Sequence, residues 1–207
     1  MQNHILRIND KAPDFEARST RGQVRLSDYR GRWLLLFSHP ADFTPVCTSE
    51  FVGFAMAADR FADAGCDLLG LSVDSLYSHL AWLRDIETRF SLRIPFPVIE
   101  DPSMEIARAY GMLDPAAASS ATVRATFVID PHGIIRAMSW YPMNIGRSVE
   151  ELLRLVAALQ VSDAENGSTP VSWQPGDPLL EPGALTMADA RDRPDGSRPW
   201  YMLERET

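Results

Sequence analysis

The chain has 207 residues, 45% of them hydrophobic and 23% charged, the make-up of a globular protein with enough apolar material for one ordinary domain and a small appendage. Its net charge of −8, from 20 basic and 28 acidic residues, argues against general binding to nucleic acid or to anionic membranes, which need a positive surface. Two cysteines, Cys47 and Cys66, are too few for a disulfide framework or a four-thiolate zinc site. The opening "MQNHILRIND" lacks the basic-then-apolar pattern of a secretory leader, and no apolar run approaches about 18 residues. The expected location is therefore the cytoplasm, where thiols stay reduced.

In chain order, "APDFEARSTRGQVRLSDYRG" alternates apolar and polar residues around a turn-like "STRGQ" and predicts a β-hairpin. The run "WLLLFS" (33–38) is of strand length and continuously apolar, as for a strand covered on both faces. Residues 45–64 predict a helix, with Phe51, Phe54, Ala58 and Phe61 three or four apart. Pro45 suits its first position, Thr44 its N-cap, and Gly65 its end. A second buried strand (66–74) and an amphipathic helix (75–90) follow. A shorter strand and helix come next, in "FPVIED" and "PSMEIARAYGM". A strand pair joined by Pro131-His132-Gly133 (122–141) and a last amphipathic helix, "RSVEELLRLVAALQ", complete the series. The order ββαβαβαββα implies an α/β fold with a mixed central sheet and helices on both faces.

Composition changes near residue 162, giving a domain over 1–161 and an extension over 162–207. The extension is rich in Pro, Gly and Asp, yet carries Trp173, Leu179, Leu180, Leu185, Trp200 and Tyr201. So many large apolar groups imply that it packs, within its own chain or on a partner subunit.

Cys47 falls in the first turn of a helix that follows a core strand. A helix amino end carries about half a positive charge and unpaired N–H groups, and both favour a thiolate over a thiol. The alternative for such a residue is a small buried hydrophobe. Thr44, one turn earlier, places a hydroxyl near the sulfur, and Pro40 and Pro45 stiffen the loop. Arg124, in "TVRATFVID", is either exposed at a sheet edge or aimed at an anion.

Pro40, Thr44 and Cys47 in P-x-x-x-T-x-x-C, with an arginine before a "TFVID-P-x-G" strand pair, resemble the peroxiredoxin family. "FSHPADFTPVCTSE" and the late W-x-P-GD segment, Trp173 to Asp177, resemble its one-cysteine, type-VI branch, and the similarity runs over essentially the whole chain. The resemblance implies a thioredoxin-like fold with a carboxy-terminal extension, and peroxide reduction by a thiol without cofactor or metal. The Cys47 thiolate would attack a peroxide oxygen and become a sulfenic acid. Ionisation alone contributes at most a factor of about 30, and low basicity offsets part of it. The larger contribution must come from donors facing the leaving oxygen. The resemblance assigns these to the Arg124 guanidinium, the Thr44 hydroxyl and backbone N–H groups around Val46 and Cys47, with Pro40 shielding the sulfur.

His39 either hydrogen-bonds near the site or fills a polar pocket in the core. Glu50 is expected to position Arg124 or a backbone group, because a carboxylate beside a thiolate opposes its ionisation. His4, His79 and His132 read as solvated or packing residues, and Cys66, opening a strand, as structural. With no resolving thiol, an external thiol must reduce the sulfenic acid. A homodimer or larger homo-oligomer, its extension reaching the partner's site, is also implied. Some members of the branch carry a phospholipase activity tied to a Gly-x-Ser-x-Gly stretch; here Gly31 is followed by Arg32 and Trp33, so that activity is not expected. A disulfide reductase would need paired cysteines, and a cysteine hydrolase a histidine base such as His39. The rival from another class is a non-enzymatic redox sensor or chaperone using the same thiol.

Overall fold

A computed structural model describes residues 5–113, 116, 118–194, 196 and 198–206. His4 lies outside them, as do parts of the segment that ends the extension. The chain forms two compact units, residues 1–149 and 150–207. This division falls earlier than the compositional change near 162, because all but the start of the last predicted helix belongs to the second unit.

In the first unit, β1 (Glu16–Ser19) and β2 (Gly22–Arg25) form the expected hairpin. The strands β3 (Trp33–Ser38), β4 (Cys66–Ser72), β5 (Val98–Glu100), β6 (Arg124–Ile129) and β7 (Ile135–Tyr141) complete a seven-stranded sheet of order β2-β1-β5-β4-β3-β6-β7. β3, β4 and β5 run parallel, and the other pairings are antiparallel. Every residue of β3 and of β6 is buried, which explains the continuous apolar run of β3.

The helix expected over 45–64 is two: α1 (Pro45–Met56) and α2 (Ala58–Asp63), with Gly65 turning into β4 at φ 61°. The break falls at Ala57, where ψ is 0°. Phe54 before it and Phe61 after it are both fully buried, with ring centroids 6.3 Å apart. α3 (Leu76–Phe90) starts at Ser75, whose side chain accepts from the Ser78 N–H, and buries His79, Trp82 and Ile86 along one stripe. α4 (Glu105–Ala109) is short.

The second unit takes up α5 (Val149–Glu165) from its second residue and adds β8 (Leu179–Leu180), α6 (Met187–Asp192) and β9 (Glu204–Arg205). Trp173 and Leu179 pack with Ala158 of α5, so part of the extension has a small core of its own. The W-x-P-GD segment is a closed turn. Trp173 Nε1–H donates to the Asp177 carbonyl at 2.9 Å, the Asp177 side chain accepts from the Gln174 N–H, and Gly176 supplies φ 96°. Leu185, Trp200 and Tyr201 stay exposed in this chain. Among the described residues, no helix is long and apolar enough to cross a membrane.

Candidate active site

β3 delivers the chain to a short loop, and the loop to the start of α1. The loop is held rather than free. His39 N–H donates to the Leu71 carbonyl, the Thr122 hydroxyl to the His39 carbonyl, and Asp42 N–H to Asp74 Oδ2 at 2.7 Å. It ends in Phe43 at φ 56°, a left-handed residue just before the helix, which stores strain beside the site. Pro40 is buried in this loop.

Pro45 is the first residue of α1, and Thr44 has the extended backbone of an N-cap. Its hydroxyl, however, donates to the Ala41 carbonyl at 2.8 Å and makes no cap bond. Thr44 thus ties the loop together while its oxygen lone pairs stay available. The first bond of the helix runs from Thr48 N–H to the Thr44 carbonyl, so the Val46 and Cys47 N–H groups lie in the turn that has no intrahelical acceptors. Cys47 is fully buried.

Arg124 reaches this helix start because of strand register. β6 runs antiparallel to β3 with Phe37 opposite Thr126, so continuing the ladder sets Arg124 level with His39, at the sheet end where Cys47 sits. Its Nη1 lies 3.3 Å from Cys47 Sγ and 2.8 Å from Glu50 Oε2. Nε and Nη2 both donate to the Met143 carbonyl, at 2.9 and 2.5 Å. The guanidinium is therefore clamped from two sides, with one edge left for the sulfur. It is buried and ion-paired, which decides between the two readings open at the sequence level.

Glu50 is clamped in turn by Arg147, a residue the sequence reading did not single out. Arg147 Nε and backbone N–H each donate to Glu50 Oε1 at 2.8 Å, and Nη2 to Oε2 at 2.7 Å. The rest of its guanidinium donates to the Ala125 carbonyl and packs over the Phe37 and Phe54 rings. Burial alone would raise the Glu50 carboxyl, but the bonds and charge of Arg147, and then Arg124, hold it below the usual carboxylate range. Two buried guanidinium groups face one carboxylate, leaving one positive charge over. An anion at the Cys47 sulfur, or on an oxygen bound beside it, brings the cluster to neutrality.

His39 and His79 are fully buried, one on each oxygen of Asp42. His39 accordingly fills a polar pocket, and His79 lies on the buried stripe of α3. His132 is exposed in its turn. Cys66 is buried at the start of β4, and burial pushes its thiol up to about 12, with Asp67 adding to the effect. A thiol so placed stays protonated at neutral pH.

Fold and site together define a class: a single-thiol enzyme on a thioredoxin-like sheet, with an arginine fixed against the sulfur. The comparisons agree. The AhpC/TSA family model matches residues 8–138. A peroxiredoxin 2 of Thermoplasma acidophilum is 48% identical over 198 residues, 94% of this chain and 98% of its own. A peroxiredoxin of Aquifex aeolicus is 52% identical over 170 residues, 82% of this chain and 77% of its own. Among solved structures, a yeast mitochondrial 1-Cys peroxiredoxin superposes with a TM-score of 0.87 at 38% identity, covering 98% of this chain and 100% of that one. The peroxiredoxin 6 of Arenicola marina gives 0.86 at 29% identity, with coverages of 98% and 99%. The chain belongs to the AhpC/TSA family and is a peroxiredoxin of the one-cysteine kind, a thiol-dependent peroxidase.

Proposed function

We propose that the protein reduces hydrogen peroxide and organic hydroperoxides through a sulfenic acid on Cys47, with Arg124, Thr44 and the amino end of α1 as its electrostatic machinery. The observation that carries this reading is the 3.3 Å approach of Arg124 Nη1 to Cys47 Sγ inside a cluster with one positive charge in excess. The thiolate attacks the terminal oxygen of the peroxide, and an S–O bond forms as the O–O bond breaks. Sulfur loses two electrons, and the departing alkoxide or hydroxide takes a proton and leaves as alcohol or water. As charge moves from sulfur to the leaving oxygen, the Arg124 guanidinium, already desolvated and clamped by Met143 and Glu50, follows it without reorganising. The N–H groups of Val46 and Cys47 and the Thr44 hydroxyl supply further polar contacts. Pro40 keeps water from the sulfur. Burial of Cys47 confines attack to a slim O–OH end group, which hydrogen peroxide and alkyl hydroperoxides share.

The sulfenic acid then condenses with an external thiol to a mixed disulfide, releasing water, and a second thiol frees Cys47. Cys66 takes no part in this cycle, being un-ionised and buried. The yeast relative is described as resolved through glutathione and thioredoxin systems, and thiols of that kind are the reductants proposed here. A cytoplasmic setting and a homodimer, whose partner covers the exposed Leu185, Trp200 and Tyr201, complete the proposal. Consumption of excess hydrogen peroxide with dithiothreitol tests it. Many equivalents per chain are expected, whereas arrest near one equivalent would identify a redox sensor instead.

A further inference from the structure

The cluster of His39, Asp42 and His79 takes no part in the steps just described, although it occupies the loop that carries Pro40 and Thr44. His39 Nε2 lies 2.8 Å from Asp42 Oδ1, and His79 Nδ1 lies 2.8 Å from Asp42 Oδ2. The other ring nitrogen of His79, Nε2, lies 3.1 Å from the Ile99 carbonyl. All three side chains are buried, so water does not supply the partners.

A carbonyl oxygen only accepts, so His79 Nε2 carries a hydrogen. Each gap between a ring nitrogen and a carboxylate oxygen also needs one. Three bonds therefore require three protons, whereas an aspartate with two neutral imidazoles supplies only two. The third proton makes the cluster neutral overall, which is the state a buried cluster tolerates best.

The location of that proton follows from the surroundings. Burial alone would raise the Asp42 carboxyl, but its bonds to both histidines and their charge pull it well below the ordinary range, so the protons sit on the rings. Burial pushes His39 down, with Asp42 only partly offsetting it, so His39 keeps a single proton on Nε2. Its Nδ1 is then a bare lone pair, and it has no hydrogen-bond partner among the described residues. His79 carries the remaining two. The other charged groups around the cluster are Asp74, which accepts from Asp42 N–H, and Glu100, beside Ile99, which accepts from Leu76 N–H and pairs with Arg18.

A metal ion would place the same atoms differently. Tetrahedral zinc at roughly 2.0–2.1 Å from each ligand sets neighbouring ligand atoms about 3.3 Å apart. The 2.8 Å separations seen here are hydrogen-bond lengths.

We propose that His79 is a positioning residue for the peroxide site: doubly protonated, it grips Asp42, which fixes His39 as the Nε2–H tautomer and anchors the loop bearing Pro40 and Thr44 to α3 and β5. The effect on rate rests on the function proposed above; the proton count does not.

Ring-nitrogen NMR of the full chain labelled with nitrogen-15 in histidine reads the count directly. At neutral pH one buried ring, assigned to His79, should show both nitrogens protonated, and His39 should show a protonated Nε2 with a bare Nδ1. His79→Ala should lower the rate constant for hydrogen peroxide by roughly ten- to a hundredfold, the scale of loss when a reacting geometry loosens. It should also scramble the His39 tautomer, while His79→Gln, which keeps one donor toward Asp42, restores part of both. A single ring proton on His79 in the wild type, stoichiometric zinc in the purified protein, or unchanged rate and tautomer in His79→Ala would each overturn the proposal. The wild-type spectrum decides even where a variant fails to fold. Absence of catalytic peroxide turnover in the wild type would count against the proposed function and leave the proton count to the spectrum.

Discussion

Replacing Arg124 by alanine removes the guanidinium 3.3 Å from Cys47 Sγ. At that separation, and an effective dielectric constant near 20, attraction between the guanidinium and a thiolate amounts to about 5 kcal/mol. Most of it acts on the resting thiolate and on the transition state alike. What the variant loses in rate is the part that follows charge onto the leaving oxygen. Loss of one such preorganised donor costs about 10²–10³ in rate, roughly 3–4 kcal/mol. The fold should survive, because Glu50 keeps its three bonds from Arg147, although the Met143 carbonyl loses both donors. Stopped-flow peroxide reduction followed by tryptophan fluorescence measures the rate, and Arg124→Lys, which keeps charge but not the fork, should fall between alanine and wild type. A rate for Arg124→Ala within about threefold of wild type, under 1 kcal/mol, would refute the electrostatic reasoning.

Three further outcomes are expected. The Glu50 carboxyl, depressed by Arg147 and Arg124, contributes stability that is complete above its unfolded value near 4.5 and is lost as pH falls from there through the depressed folded value. The melting temperature should therefore hold down to that pH and drop below it, and Glu50→Gln should flatten the acid limb; an unchanged limb would remove Glu50 from the account. Cys66→Ser should leave turnover with dithiothreitol intact and lower stability by about 1–3 kcal/mol, measured by urea denaturation, because it buries a hydroxyl in place of a thiol; lost turnover would make Cys66 a participant. Trp173→Ala should cost about 3–5 kcal/mol in the second unit, opening its small core to limited proteolysis while residues 1–149 stay protected.

Local chemistry was legible in the sequence wherever the determining residues are neighbours. Thr44-Pro45 before an apolar stripe marked the start of α1, and the continuous run of β3 marked a strand buried on both faces. The W-x-P-GD segment read as a motif, and its closed turn between Trp173 and Asp177 explains why. The break at Ala57 left no such mark, since it answers to the packing of Phe54 and Phe61 rather than to a glycine or proline. Arg147 was missed because its partner Glu50 is 97 residues away and nothing around "GRSVEE" announces a buried charge. Glu50 itself gave the available signal: a carboxylate on the inward face of an apolar helix needs cationic partners, and one arginine does not fill both oxygens. His79 lay on the predicted amphipathic helix over 75–90, but its bond to Asp42 depends on how α3 packs against the β3–α1 loop, a tertiary fact without a local pattern.

Intact and peptide mass spectrometry after one equivalent of hydrogen peroxide addresses the claim on which the mechanism depends. One oxygen atom should appear per chain, on the peptide holding Cys47 and not on that holding Cys66, and dithiothreitol should remove it. Oxygen on Cys66, or a disulfide joining the two cysteines, would contradict the assignment of Cys47 as the lone reacting sulfur.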